Sequence, residues 1–175
     1  MPNPCQPMFR IVAAAVLAAA AVHAAEPIMV RSSAIGPGGV IAARTSAYGA
    51  NRSPEVSWSA VPRAKSYAVI LVDPDAPGPG PFVHWLMWNI PADRTHLDEG
   101  AAPPPGAALG HNGSGGNGYW GPHPPSGTHH YHLQVLALDM VLPLAAGADR
   151  GQFNQVSRGH AIATGEVIGL YSAPH

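Results

Sequence analysis

Two apolar runs, Tyr67 to Asp73 (YAVILVD) and Val83 to Ile90 (VHWLMWNI), restrict the possible folds more than any other feature of this sequence. Both are short, rich in β-branched and aromatic residues, and bounded by Pro/Gly loops, which predicts strands rather than helices. Their near-continuous hydrophobicity predicts that each strand is covered on both faces. Twenty glycines and 20 prolines exclude a helical bundle, and a hydrophobic content of 46% is ample for one core. A mainly β, loop-rich single domain reconciles these facts. The formal net charge of -1 offers no basic face to a nucleic acid.

Residues 1–24 read as a signal peptide, with Arg10 in a positive segment, an apolar stretch from Ile11 to Val22, and small residues around a cleavage point after Ala24. The apolar stretch is shorter than a spanning helix requires, so no stable membrane span is expected after cleavage. Cys5, the only cysteine, falls within this segment and is not placed for lipidation. Residues 25–175 therefore fold without a thiol, and a periplasmic or secreted location is expected.

Ile28 to Val30 and Val40 to Ala43 are expected as edge strands around a GPGG turn. Val56, Trp58 and Ala60 alternate with serines, as on a half-buried strand. Counting by twos puts Tyr67, Val69, Leu71 and Asp73 on one face, and His84, Leu86, Trp88 and Ile90 on one face of the next run. If the two runs pair, Asp73 and His84 share an end. No convincing strand or helix is legible from Pro91 to Gly127, a length that in a compact domain marks a functional or disordered loop; Tyr119 and Trp120 argue against disorder. A third strand is expected from His129 to Asp139, a helix from Asp149 to Ala163 with Asp149 as N-cap, and a last strand from Gly165 to Tyr171.

Asp73, Asp75, His84 and His129 all stand at strand ends beside Pro/Gly loops, where a rigid scaffold presents binding residues. A carboxylate beside an imidazole orients it and raises its pKa, making an imidazolium donor for an anionic oxygen. Gly121 lets backbone N–H groups approach the same anion. Zinc is the competing use of His84, His123, His129, His130 and His132, but His130 and His132 share a strand face that His129 does not, and no cysteine completes a set. Serine hydrolysis lacks its G-x-S-x-G elbow, leaving only Ser126 near His129. Each feature alone is as compatible with a stiff turn or a satisfied histidine as with a site.

Four segments in order, NRSPEVSW, DPDAP followed by HW, GYWGPHPPSGTHHYHLQVLALD and ATGEVIGLY, resemble the phosphatidylethanolamine-binding protein family, in particular its bacterial, Raf kinase inhibitor-like branch. The resemblance covers nearly all the chain from Ile28 onward. It implies a β-sandwich with a large central antiparallel sheet and one or two short helices near the C-terminus. It also implies a small anion pocket for a phosphate-like or phospholipid head group, formed by Asp73, Asp75, His84, Gly121, Pro124, Pro125, His129 and Tyr131, with Tyr119 at the rim. The expected protein is a non-enzymatic binding protein without cofactor or metal. Its expected partner is a small anion such as phosphate or phosphorylethanolamine. A protein target, as for a protease or kinase inhibitor, and a homodimer are further candidates.

Overall fold

A computed structural model describes residues 27–174; the expected signal peptide lies outside the described residues. Two antiparallel sheets make up the domain. The smaller contains β1 (Val30–Arg31), β2 (Val56–Trp58) and β5 (His96–Leu97) in the order β1-β2-β5. The larger runs β6-β4-β3-β7-β8, from β3 (Ser66–Asp73), β4 (Phe82–Pro91), β6 (Ala108–Leu109), β7 (Thr128–Leu138) and β8 (Ala161–Ser172). The two strongest apolar runs are β3 and β4; β3 is the middle strand, and all but one of its residues are buried.

The large sheet buries both faces because its strands alternate between two cores. Tyr67, Val69, Leu71, Tyr131, Leu133 and Val135 face the small sheet and pack with Val30, Val56 and Trp58. Ala68, Ile70, Leu86, Trp88 and Leu138 face the other way, under Leu142, Ala148 and Phe153. Phe153 comes from α1 (Arg150–Ser157), the single α-helix among the described residues, so the order is small sheet, large sheet, helix. Burial on both faces explains why β3 reads as a continuous rather than an alternating run.

Strict alternation fails on β4. Tyr67 pairs with Ile90 but Val69 with Met87, and Leu71 pairs with Trp85 but Val72 with Val83, so β4 carries an extra residue at each of two bulges. At the first, Asn89 adopts φ +58°, and its amide exchanges two hydrogen bonds with the Leu142 backbone. Ile90 thereby joins the core shared with the small sheet, away from Leu86 and Trp88. At the second, His84 is the unpaired residue, and it too leaves the face of Leu86 and Trp88. A bulge re-aims a side chain in this way.

Other expectations change at the edges. Val40 to Ala43 forms isolated bridges, Ile41 to Ile35 and Val40 to Leu170, followed by a 3₁₀ turn at Ala43–Thr45, rather than a strand. The Pro91 to Gly127 stretch holds β5, β6 and a bridge between His111 and Asn117. It also runs along the outer edge of β4, where Gly110, Gly113 and Trp120 donate their N–H groups to the carbonyls of Leu86, Val83 and His84. Asp149 does cap α1, with a reciprocal bond to Gln152, but the helix ends at Ser157. Gly159 then turns the chain at φ +81° into β8, and His160 hydrogen-bonds Asp139 at 2.9 Å instead of extending the helix.

Candidate functional site

β3 and β7 are direct neighbours, paired from Ser66 with Leu138 to Val72 with His132. Asp73 at the end of β3 therefore lies beside the start of β7, and the second bulge on β4 brings His84 to the same rim. Asp73 Oδ2 is 2.7 Å from His129 Nδ1 and 4.0 Å from His84 Nε2. All three are buried: Asp73 2%, His84 3% and His129 8% exposed. Asp73 Oδ1 accepts the Asp75 N–H, closing the turn that Asp-Pro-Asp predicts.

His84 is held at its other nitrogen. Nδ1 donates to the Trp120 carbonyl at 2.7 Å, while the Trp120 N–H returns a bond to the His84 carbonyl. This fixes the neutral ring with Nε2 free of a hydrogen and facing Asp73. The ring also touches Phe82, with centroids 4.6 Å apart, and meets Tyr131 edge-on at 5.2 Å. Tyr131 lies between the two imidazoles, its ring 6.5 Å from that of His129. Its hydroxyl is buried and makes no hydrogen bond of normal geometry, although Asp73 and the His123 backbone lie nearby.

The electrostatics depart from the sequence expectation at one imidazole. Burial lowers the His84 pKa, and this outweighs the Trp120 carbonyl, the Asp73 charge and the Gly121 carbonyl, all of which pull it up. The expected rise from a carboxylate neighbour is thus overturned at His84. Burial, reinforced by the Asp73 charge, raises the Tyr131 pKa, so its hydroxyl stays protonated.

Several residues do something other than the sequence expectation assigns them. Asp75 is exposed and takes the backbone N–H and Nδ1 of His130, both through Oδ2, instead of ordering a pocket imidazole; those bonds lower its pKa. The Gly121 N–H donates to Asn51 Oδ1 at 2.7 Å and so is not a free anion donor. Glycine is required there for another reason: a Cβ would stand 2.2 Å from the Thr45 carbonyl oxygen and 2.7 Å from the Ala47 nitrogen. Pro124 is buried and its carbonyl accepts the Tyr48 hydroxyl, whereas Pro125 is exposed. Tyr119 is half-buried and donates to the Thr45 carbonyl, behind the site rather than at its rim.

Sequence reasoning missed Asn51, Trp120 and Tyr48. Tyr48 stacks on His123 with centroids 4.3 Å apart and on Tyr171 at 6.5 Å, extending an aromatic wall from the proline loop to β8. The only sequence signal was Asn51, a residue type that tolerates the φ of +51° it adopts. Behind Tyr131 a small cavity lined by Leu71, Leu133, Ile35 and Pro122 is almost wholly apolar. It has no charged donor, so the chemistry belongs to the His84–Asp73–His129 side.

The description phosphatidylethanolamine-binding protein belongs to a family model that matches residues 31–172. The chain belongs to this family. A protein of Methanothermobacter thermautotrophicus named UPF0098 is 44% identical over 138 residues, 76% of this chain and 91% of the relative. Among solved structures, the PEBP homolog CT736 from Chlamydia trachomatis superposes with a TM-score of 0.79 at 34% identity, covering 85% of this chain and 99% of that one. Escherichia coli YbcL, described as a new member of the mammalian PEBP family, gives 0.78 at 33%, covering 84% and 99%. These likenesses place the chain in the family's bacterial branch and match its sandwich of two antiparallel sheets. A Mycobacterium tuberculosis relative named as a lipoprotein, LppC, is 34% identical over 150 residues, 85% of this chain and 74% of its own. Among the described residues no helix is long and apolar enough to cross a membrane.

Proposed function

We propose that this family member is an exported, non-enzymatic binding protein whose rim at His84, Asp73, His129 and Tyr131 takes a small phosphate-type anion. The carrying observation is the convergence of two buried imidazoles on one buried carboxylate, beside a buried hydroxyl that makes no hydrogen bond of normal geometry. An anionic oxygen there would receive the Tyr131 O–H and an imidazole N–H from the rim. Asp73 repels an anion directly, so its part is to hold His129 in one orientation. Pro124 and Pro125 stiffen the loop beside this rim, Gly121 lets the loop approach Thr45 closely, and Asp75 anchors the start of β7 through His130.

The reading as a binder rather than a hydrolase rests on the absence of an activated nucleophile. The hydrogen bonds of His84 and His129 go to the Trp120 carbonyl and to Asp73, not to a serine or threonine hydroxyl. Calorimetric titration of inorganic phosphate and of phosphorylethanolamine into wild type and Tyr131→Phe tests this reading. Saturable binding of either, weakened roughly fivefold to tenfold by loss of one hydrogen bond to a charged group, is expected. Equal heats in the two proteins would remove Tyr131 from the site, and no binding in wild type would sink the reading.

A further inference from the structure

We infer that the cleft between α1 and the β7–β8 ladder is a second binding site, for a small zwitterion that sets a carboxylate against Arg150 and an ammonium against Glu166. The cleft is open to solvent, has a volume of about 360 Å³ and is lined by Gln134, Leu136, Arg150, Thr164, Gly165 and Glu166. That volume lies within the range of small-molecule sites. It is independent of the His84–Asp73–His129 rim, since Gln134 and Glu166 are a cross-strand pair farther along β7 and β8.

Arg150 is the unusual group. Its guanidinium is partly buried, with Cζ 5.9 Å from the Phe153 ring centre and Nε donating to Asn154 Oδ1 at 2.9 Å. Nη1 is sealed from solvent without an acceptor, and among the described ion pairs none contains Arg150. Burial lowers its pKa, which reports the cost of an uncompensated charge. Arg150 is also the first residue of α1, where a cation opposes the helix dipole, an effect the Asp149 cap carboxylate partly offsets. An anionic partner would relieve the cost of burial, and a guanidinium N–H donates well to a carboxylate.

Glu166 supplies the opposite sign. Its Oε2 takes His132 Nδ1 at 3.1 Å and Gln134 Nε2 at 3.3 Å, and the side chain is 42% exposed. A ligand carrying only negative charge would meet this carboxylate unfavourably. One carrying both charges satisfies the two ends, with Leu136 and the Thr164 methyl against its carbon chain.

The test is a titration of the purified protein with glycine, β-alanine and γ-aminobutyrate, followed by amide NMR. The three span a range of charge separations. The expected result is saturable shifts at Gln134, Arg150 and Glu166 for at least one of them. Acetate and ethylammonium should each bind roughly tenfold more weakly, as should Arg150→Gln and Glu166→Gln, each losing one charged contact. Should Arg150→Gln fail to fold, Arg150→Lys keeps the charge but replaces the planar guanidinium with a shorter ammonium and should still weaken binding. Phosphate-linked shifts at the other rim should survive in these variants, separating loss of this site from general damage. No saturable shift with any amino acid, binding indifferent to Arg150 substitution, or acetate binding as tightly as the amino acids with Glu166→Gln without effect would overturn the inference.

Discussion

Asp73 Oδ2 accepts from His129 Nδ1 at 2.7 Å with the two side chains only 3% and 11% exposed, so the pair works almost out of contact with water. The second Asp73 oxygen is taken by the Asp75 N–H. Removing the charge therefore weakens one charged hydrogen bond and loosens the turn. Asp73→Asn is expected to cost about 2 kcal/mol, the size of a hydrogen bond to a charged group. For a domain of this size the melting temperature should drop by roughly 4–8 °C. Thermal unfolding followed by circular dichroism measures this, and an unchanged midpoint would contradict the pairing.

Burial of His84 predicts a pH effect of definite sign. The unfolded chain protonates this imidazole near the ordinary value of 6.5, whereas the folded chain resists until lower pH. The unfolded state then binds more protons in the interval, so the His84 contribution is intact above 6.5 and declines as pH falls through and below it. Urea unfolding of wild type and His84→Gln should show a stability difference that favours wild type most at neutral pH and narrows toward pH 5. A difference independent of pH would show that His84 is not held neutral.

Gly121 sits where the loop after Trp120 crosses the segment from Thr45 to Ala47. A methyl group there would meet backbone on two sides, at 2.2 Å and 2.7 Å, and neither contact is a movable side-chain end. Gly121→Ala is expected to destabilise the protein by about 3 kcal/mol, at the upper end of overpacking costs. Unfolding in denaturant reads this directly. A loss below about 1 kcal/mol would mean that the loop can move away, contrary to the close packing described.

Asp149 accepts the Gln152 N–H at 2.8 Å while Gln152 Oε1 accepts the Asp149 N–H at 2.9 Å. Asp149→Ala should cost about 1 kcal/mol, as for other helix caps, and lower the melting temperature by a few degrees. Phosphate binding should be unchanged because α1 lies on the opposite face of the large sheet from the small one. A change in phosphate affinity would couple the helix to the rim.

Much of this architecture was legible because hydrophobic pattern carries it. The runs of β3, β4 and β7 show strands, Asp149 shows the helix start, and Asp73-Pro74-Asp75 shows the turn. Period-two reasoning broke at Asn89 and His84, where β4 inserts a residue and no propensity signals a bulge. The true end of α1 was missed because Phe153, Val156 and His160 keep a helical spacing past the turn at Gly159. In the site, position at strand ends beside Pro/Gly loops, together with the family resemblance, brought Asp73, His84 and His129 together. It could not tell that Asp75 would be drawn to His130, nor that burial would outweigh the nearby carboxylate at His84. Both outcomes depend on strand register and enclosure, which are tertiary facts.

The most direct test of the central claim is a phosphate titration at pH 6 monitored through the histidine ring resonances. The account predicts saturable shifts at His84 and His129, smaller in Tyr131→Phe, with His130, His132 and His160 unmoved. It also predicts that binding weakens as pH rises toward 6.5, because burial lowers the His84 pKa and its imidazolium donor is lost before that value is reached. No shift at His84 or His129, or shifts shared equally by the exposed histidines, would contradict it.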